Sequence, residues 1–171
     1  VEGWSHSHLG EVLANEGQID DARKHYAFAL EASRRLGDRK LECAALNGLG
    51  NLADARGQLD AARRHYETAL GVARGANDRR WERALLGNLG NVKAYLGATI
   101  EARSDYEAGL RLAREAGDRR REGNALSNLG LLDLVGQQMQ AAQAQFEAAL
   151  RIARELGYRR LECIVLCNLG I

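Results

Sequence analysis

Residues 41–80 read LECAALNGLGNLADARGQLDAARRHYETALGVARGANDRR. Leu46, Leu49 and Leu52 recur at every third position and are followed by Ala53, which makes one apolar stripe of an α-helix. Gly57 interrupts the pattern. A second stripe runs through Ala62, Tyr66, Ala69, Leu70 and Ala73, again at helical spacing, and stops at Asn77-Asp78. The stretch is therefore a pair of helices joined by a tight turn. The same stretch returns along the chain at an interval of 40 residues. Leu9-Gly10, Leu49-Gly50, Leu89-Gly90, Leu129-Gly130 and Leu169-Gly170 share one register. So do Ala22, Ala62, Ala102 and Ala142, and then Tyr26, Tyr66, Tyr106 and Phe146. Arg34, Arg74, Arg114 and Arg154 match as well, as do Glu42, Glu82, Glu122 and Glu162. Repetition at one fixed period is the signature of a stacked-repeat architecture.

Local signals agree with paired helices. Gly37, Asn77, Gly117 and Gly157 stand where the second helices end, and Gly and Asn are the residues that most readily enter the left-handed conformation there. Asp38, Asp78 and Asp118 follow and are placed to cap the next helix, whereas Tyr158 predicts a weaker last cap. Gly136 falls one residue earlier than Gly17, Gly57 and Gly97 require, which predicts an altered turn. A glycine inside a helix costs about 1 kcal/mol relative to Ala. Its recurrence at Gly50 and its equivalents points to a packing reason: close approach to Ala62, with the Tyr66 ring beside it.

Composition excludes several classes. The 171 residues are 46% apolar and 27% charged with a net charge of +1, enough for a core and too balanced for broad capture of nucleic acid or anionic lipid. No apolar run approaches the roughly 18 residues of a membrane helix. Three cysteines without framework spacing argue against a disulfide scaffold and for a cytoplasmic setting. Abundant Arg, Ala and Gly are associated with GC-rich bacterial genomes.

The motif Gly10/Ala22/Tyr26/Ala29, repeated as Gly50/Ala62/Tyr66/Ala69, Gly90/Ala102/Tyr106/Gly109 and Gly130/Ala142/Phe146/Ala149, resembles the tetratricopeptide repeat over essentially the whole chain. The 40-residue form resembles arrays in kinesin light chains, GoLoco-containing G-protein regulators, and bacterial regulators and signalling ATPases. The sequence departs from the commonest form by its period, by an Arg-rich junction in place of the terminal Pro, and by Ala53, Lys93 and Asp133 where a first-helix Tyr is usual. The resemblance implies an all-α, right-handed superhelical solenoid of antiparallel helix pairs. Full repeats are expected at about 1–40, 41–80, 81–120 and 121–160, with a partial fifth at 161–171. The whole is expected to be one solenoid and a piece of a longer array.

The resemblance also implies that first helices line a concave groove. The stripe facing it would carry Asn47, Asn51 and Asp54, then Asn91, then Asn124, Ser127 and Leu131, ending in apolar Leu134, Ile164 and Ile171. An Asn amide both donates and accepts, so this row either grips the backbone of an extended peptide or merely bonds neighbouring helices or water. Arg83 and Lys93 stand beside it as selectors of acidic side chains. The apolar end either receives apolar ligand side chains or is covered by further helices. Charge gathers at Arg39-Lys40, Arg79-Arg80, Arg119-Arg120-Arg121 and Arg159-Arg160, but each cluster is followed by a Glu, which reads as a solvated face with weak local pairs.

Catalytic and metal chemistry is not expected. His6 and His8 point to different faces of a helix. His25 and His65 are repeat-equivalent, as are Cys43 and Cys163, which points to packing. Cys163 and Cys167 share a face but lack the further ligands of a zinc site. The expected function is a non-enzymatic scaffold without cofactor that holds a protein or peptide partner. No nucleic acid or membrane partner is expected. The alternative is end-to-end self-association through uncapped terminal helices.

Overall fold

The computed structural model describes residues 2–170, and the described residues form α-helices and short turns throughout. The helices are α1 (Glu2–Asn15), α2 (Ile19–Leu36), α3 (Arg39–Ala55), α4 (Leu59–Gly75), α5 (Arg79–Tyr95), α6 (Thr99–Glu115), α7 (Arg119–Val135), α8 (Met139–Glu155) and α9 (Arg159–Leu169). Ile171, placed by the sequence at the apolar end of the groove, lies outside the described residues. Two compact units are present, one up to Leu85 and one from Leu86 onward, with the division inside α5.

In the first unit α1 packs on α2 and α3 on α4, and α2 also meets α3. Ala22, Tyr26 and Leu52 form one core cluster, and Ala29, Leu41 and Ala45 another. The second unit is built around one larger cluster, in which Tyr106, Leu126, Leu129, Phe146, Ile152 and Val165 are buried. The recurring glycines sit under the aromatics. A Cβ on Gly50 would lie 2.4 Å from the Tyr66 ring, and one on Gly90 would lie 2.5 Å from Tyr106. The same atom on Gly130 would lie 2.7 Å from Phe146. The glycine therefore makes room for the ring itself, rather than chiefly for the small Ala62 as the sequence suggested.

The caps follow the sequence. Asp38 accepts from the backbone N–H groups of Lys40 and Leu41 at 3.1 and 3.0 Å, Asp78 from Trp81 at 3.0 Å and Asp118 from Arg121 at 3.1 Å. Tyr158 makes no side-chain cap bond. The altered fourth turn is also present. Gly57 and Gly97 take φ +70° and +77°, but Gly136 has φ −76° and the left-handed position falls on Gln137 at φ 58°. A side chain in that conformation costs roughly 1–2 kcal/mol. Gln137→Gly is therefore expected to raise the stability of the second unit by about 1 kcal/mol, read from urea denaturation followed by ellipticity at 222 nm.

Candidate functional site

Each unit carries a cavity walled by its first helices. In the first unit a space of about 580 Å³ is lined by Glu11, Asn47 and Asn51, with Trp4 and Trp81 among its walls. In the second unit a space of about 700 Å³ is lined by Asn91, Asn124, Ser127 and Leu131, together with Tyr95, Val135 and Ile164. Six of the nine residues expected to form the groove thus line one cavity or the other. Asp54, Arg83 and Lys93 line neither. Leu134 packs against the core of the second unit instead of facing its cavity.

The asparagines are held from behind. The Tyr66 hydroxyl donates to Asn51 Oδ1 at 2.7 Å, and the Tyr106 hydroxyl donates to Asn91 Oδ1 at 2.8 Å. Asn128 Nδ2 donates to the same Asn91 oxygen at 2.9 Å and joins neighbouring first helices. Burial of the two rings raises both phenol pKa values well above the usual range, with Asp54 adding to the effect at Tyr66, and Tyr95 and Asp105 at Tyr106. Both hydroxyls therefore stay protonated donors, and each fixes which end of its partner amide is taken. These bonds engage Oδ1 of Asn51 and of Asn91 and leave Nδ2 as the other end of each amide. The pairing belongs to the middle two repeats: Tyr26 stands with Glu11 at the equivalent position, and Phe146, which has no hydroxyl, stands with Leu131. That coupling is visible in the sequence once the aromatic and first-helix registers are set side by side.

Lys93 requires a correction. Its ammonium lies 2.6 Å from Asp105, with the two side chains only 17% and 14% exposed, so its charge is already neutralised within the fold. Asp133, 2% exposed, pairs with Arg103 at 2.6 Å. Both pairs run to α6, Lys93 of α5 meeting Asp105 and Asp133 of α7 meeting Arg103.

The junctions require another. Glu42, Glu82 and Glu122 are 6%, 8% and 8% exposed, not solvated. Each is clamped by two arginines, one from the end of the preceding second helix and one from its own first turn. Arg74 and Arg79 reach Glu82 at 3.0 and 2.9 Å, and Arg114 and Arg119 reach Glu122 at 3.0 and 2.6 Å. Burial alone would raise these carboxyl pKa values, but the paired guanidinium groups outweigh it and hold both below the usual carboxylate range. A depressed folded-state pKa contributes stability above the unfolded value of about 4.3 and loses it as pH falls through the folded value. Glu82→Gln with Glu122→Gln is expected to flatten the decline in melting temperature on acidification below about pH 4.5. Thermal melts from pH 6 to pH 3 read the difference.

Other titratable groups serve packing. His6 and His25 place their Nδ1 atoms 2.6 Å apart across α1 and α2 with stacked rings, a contact that neither sequence position announced. The Cys43 thiol donates to the Ala69 carbonyl at 3.6 Å and is pushed up to about 12 by burial. Among the described residues no three metal-ligating side chains gather, and no helix is long and apolar enough to cross a membrane.

The family model of the tetratricopeptide repeat matches residues 2–75 and 81–155. The chain belongs to the tetratricopeptide repeat family. Repeats of this family are non-enzymatic modules of protein–protein interaction. Solved structures share the architecture. BtubC (BKLC) from P. vanneervenii is 24% identical, with a TM-score of 0.79 over 88% of this chain and 61% of that one. The chain therefore spans about three fifths of BtubC. Pseudomonas aeruginosa pilF is 16% identical, with a TM-score of 0.69 over 98% of this chain and 75% of its own. These likenesses show the fold, a helical-repeat solenoid. No curated protein matches.

Proposed function

We propose that this tetratricopeptide chain is one array of the 40-residue subtype, a scaffold that holds a segment of a protein partner against the first helices of each unit. The observation that carries the reading is the locked amides. With Oδ1 engaged by a buried tyrosine, Asn51 and Asn91 offer oriented Nδ2 donors to the cavities they line. Donors fixed beforehand lose little freedom on binding, which favours capture of peptide carbonyls whatever the side chains. The uninterrupted register supports the subtype. The cysteine count supports a cytoplasmic setting, and the Arg-rich composition a bacterial source.

The test keeps the tyrosines satisfied. Asn51→Asp and Asn91→Asp preserve an acceptor for each hydroxyl and remove the donor. Peptides selected on the wild-type chain from a phage-displayed library of random short sequences are expected to bind the double variant about tenfold more weakly or worse. Its melting temperature should stay near wild type. Undiminished binding, or loss of binding only in step with loss of fold, removes the proposal.

A further inference from the structure

One register position sets the first repeat apart. Leu46, Leu86 and Leu126 hold it in the next three repeats, all buried, and Leu166 holds it in the fifth. The first repeat carries His6 there. An imidazole in the place of a core leucine gives up apolar burial and brings two ring nitrogens that need partners. One partner comes from the second helix. His6 Nδ1 lies 2.6 Å from His25 Nδ1, and the rings stack with centroids 4.9 Å apart. Phe28 closes on His6 with 4.0 Å between centroids, and it too is particular to this repeat, since Thr68, Ala108 and Ala148 stand in its register. The second repeat is the natural comparison. It keeps His65 in the register of His25 but sets Leu46 where His6 stands, so that imidazole has no histidine opposite it in register.

Two imidazole nitrogens converging from two helices are a chelating pair. Between neutral rings one Nδ1–H donates and the other Nδ1 accepts. A divalent cation in place of that shared proton takes both lone pairs, and imidazole nitrogen favours transition metals such as Zn²⁺ and Ni²⁺ over Mg²⁺ or Ca²⁺. We infer that His6 and His25 form a two-histidine site for a divalent transition-metal ion that staples α1 to α2. Bonds of about 2.0–2.1 Å in tetrahedral geometry set two ligand nitrogens about 3.3 Å apart, so the rings part by roughly 0.7 Å on binding. Both are half-buried side chains, and small rotations supply that opening. Phe28 covers one side of the pair, and water completes the coordination. Asp21, one turn before His25, is engaged by Lys24 at 2.8 Å. The consequence of such a staple lies in α1. That helix buries Gly3, Ser7 and Gly10, none with a large apolar side chain, and its Leu9 and Val12 stay exposed. A helix held by so little buried apolar surface opens at low cost. An ion bridging it to α2 binds the closed form alone and so stabilises it by mass action.

The experiment titrates zinc chloride into the full chain, free of any polyhistidine tag, at about pH 7.5, where imidazoles are mostly neutral. Calorimetry reads the binding, and the imidazole proton signals in NMR locate it. Cys163→Ser with Cys167→Ser is built into every protein, because that exposed pair lies one turn apart on α9 and takes the same metals. One equivalent of zinc is expected to bind, to shift the His6 and His25 signals, to leave those of His8 and His65 in place, and to raise the melting temperature. His6→Leu, the residue of the other repeats, and separately His25→Gln are each expected to weaken binding about tenfold or more and to abolish the rise in melting temperature. His65→Gln should change neither. Should a substituted chain fail to fold by circular dichroism, the NMR shifts of the unsubstituted histidines decide: shifts at His8 or His65 in place of His6 and His25 overturn the inference. So does the absence of binding heat at millimolar zinc, or binding that survives both substitutions. None of these results bears on the groove reading, which rests on other residues.

Discussion

Gly50→Ala is expected to destabilise the first unit by about 3 kcal/mol, the upper part of the range for overpacking a well-filled core. The added Cβ would sit 2.4 Å from the Tyr66 ring, far inside contact distance. The ring cannot retreat, because it is 2% exposed and its hydroxyl is tied to Asn51. The better helix propensity of Ala returns only about 1 kcal/mol. Gly71→Ala supplies the control within the same unit. Gly71 is also inside a helix, α4, but nothing lies within 4 Å of its Cβ position. That change should stabilise by about 0.5–1 kcal/mol through propensity and reduced freedom of the unfolded chain. Urea denaturation of both variants reads the two signs. A neutral Gly50→Ala would mean that the helices separate more easily than the packing shows.

Arg103→Ala is expected to cost the second unit about 2–3 kcal/mol. It strands the Asp133 carboxylate, 2% exposed, without its counter-charge. Breaking a buried pair from one side costs about 3–5 kcal/mol, and the figure is reduced here because Arg103 is one third exposed and water reaches its place. Removing both partners should hurt less than removing the arginine alone, since no uncompensated charge is then buried. Arg103→Ala with Asp133→Leu is therefore expected to recover about half of the loss. If the double variant is as unstable as the single one, the pair acts through packing rather than charge.

The helices and their turns were legible because the period repeats each local signal. Gly57, Asn77 and Asp78 each recur with equivalents, so that even the misplaced Gly136 announced its own irregularity. The ion pairs were not legible in that way. Lys93 and Asp133 stand in single repeats, and nothing in one register shows that Asp105 and Arg103, two residues apart on α6, face them. The buried glutamates were misread for the opposite reason. Their neighbours are so densely charged in sequence that the face looks solvated, while the arginine eight residues upstream arrives from a different helix. The asparagines that line the cavities stand out in the sequence, but the fixed orientation of Asn51 and Asn91 depends on a tyrosine 15 residues further on. Tyr95 and Val135 were missed as lining of the second cavity because they lie at helix ends, where periodicity stops carrying information.

Trp4 and Trp81 both wall the cavity of the first unit, and the chain has no other tryptophan. Indole emission is therefore a private signal of one half of the molecule, while ellipticity sums both halves. Followed together through a denaturant titration, the two signals separate the fate of one half from that of the whole, without any label. A peptide entering the first cavity would shift the emission directly. One seated only beside Leu131 and Val135 would leave the indoles dark to its presence, so a silent titration with measurable heat would itself locate the ligand.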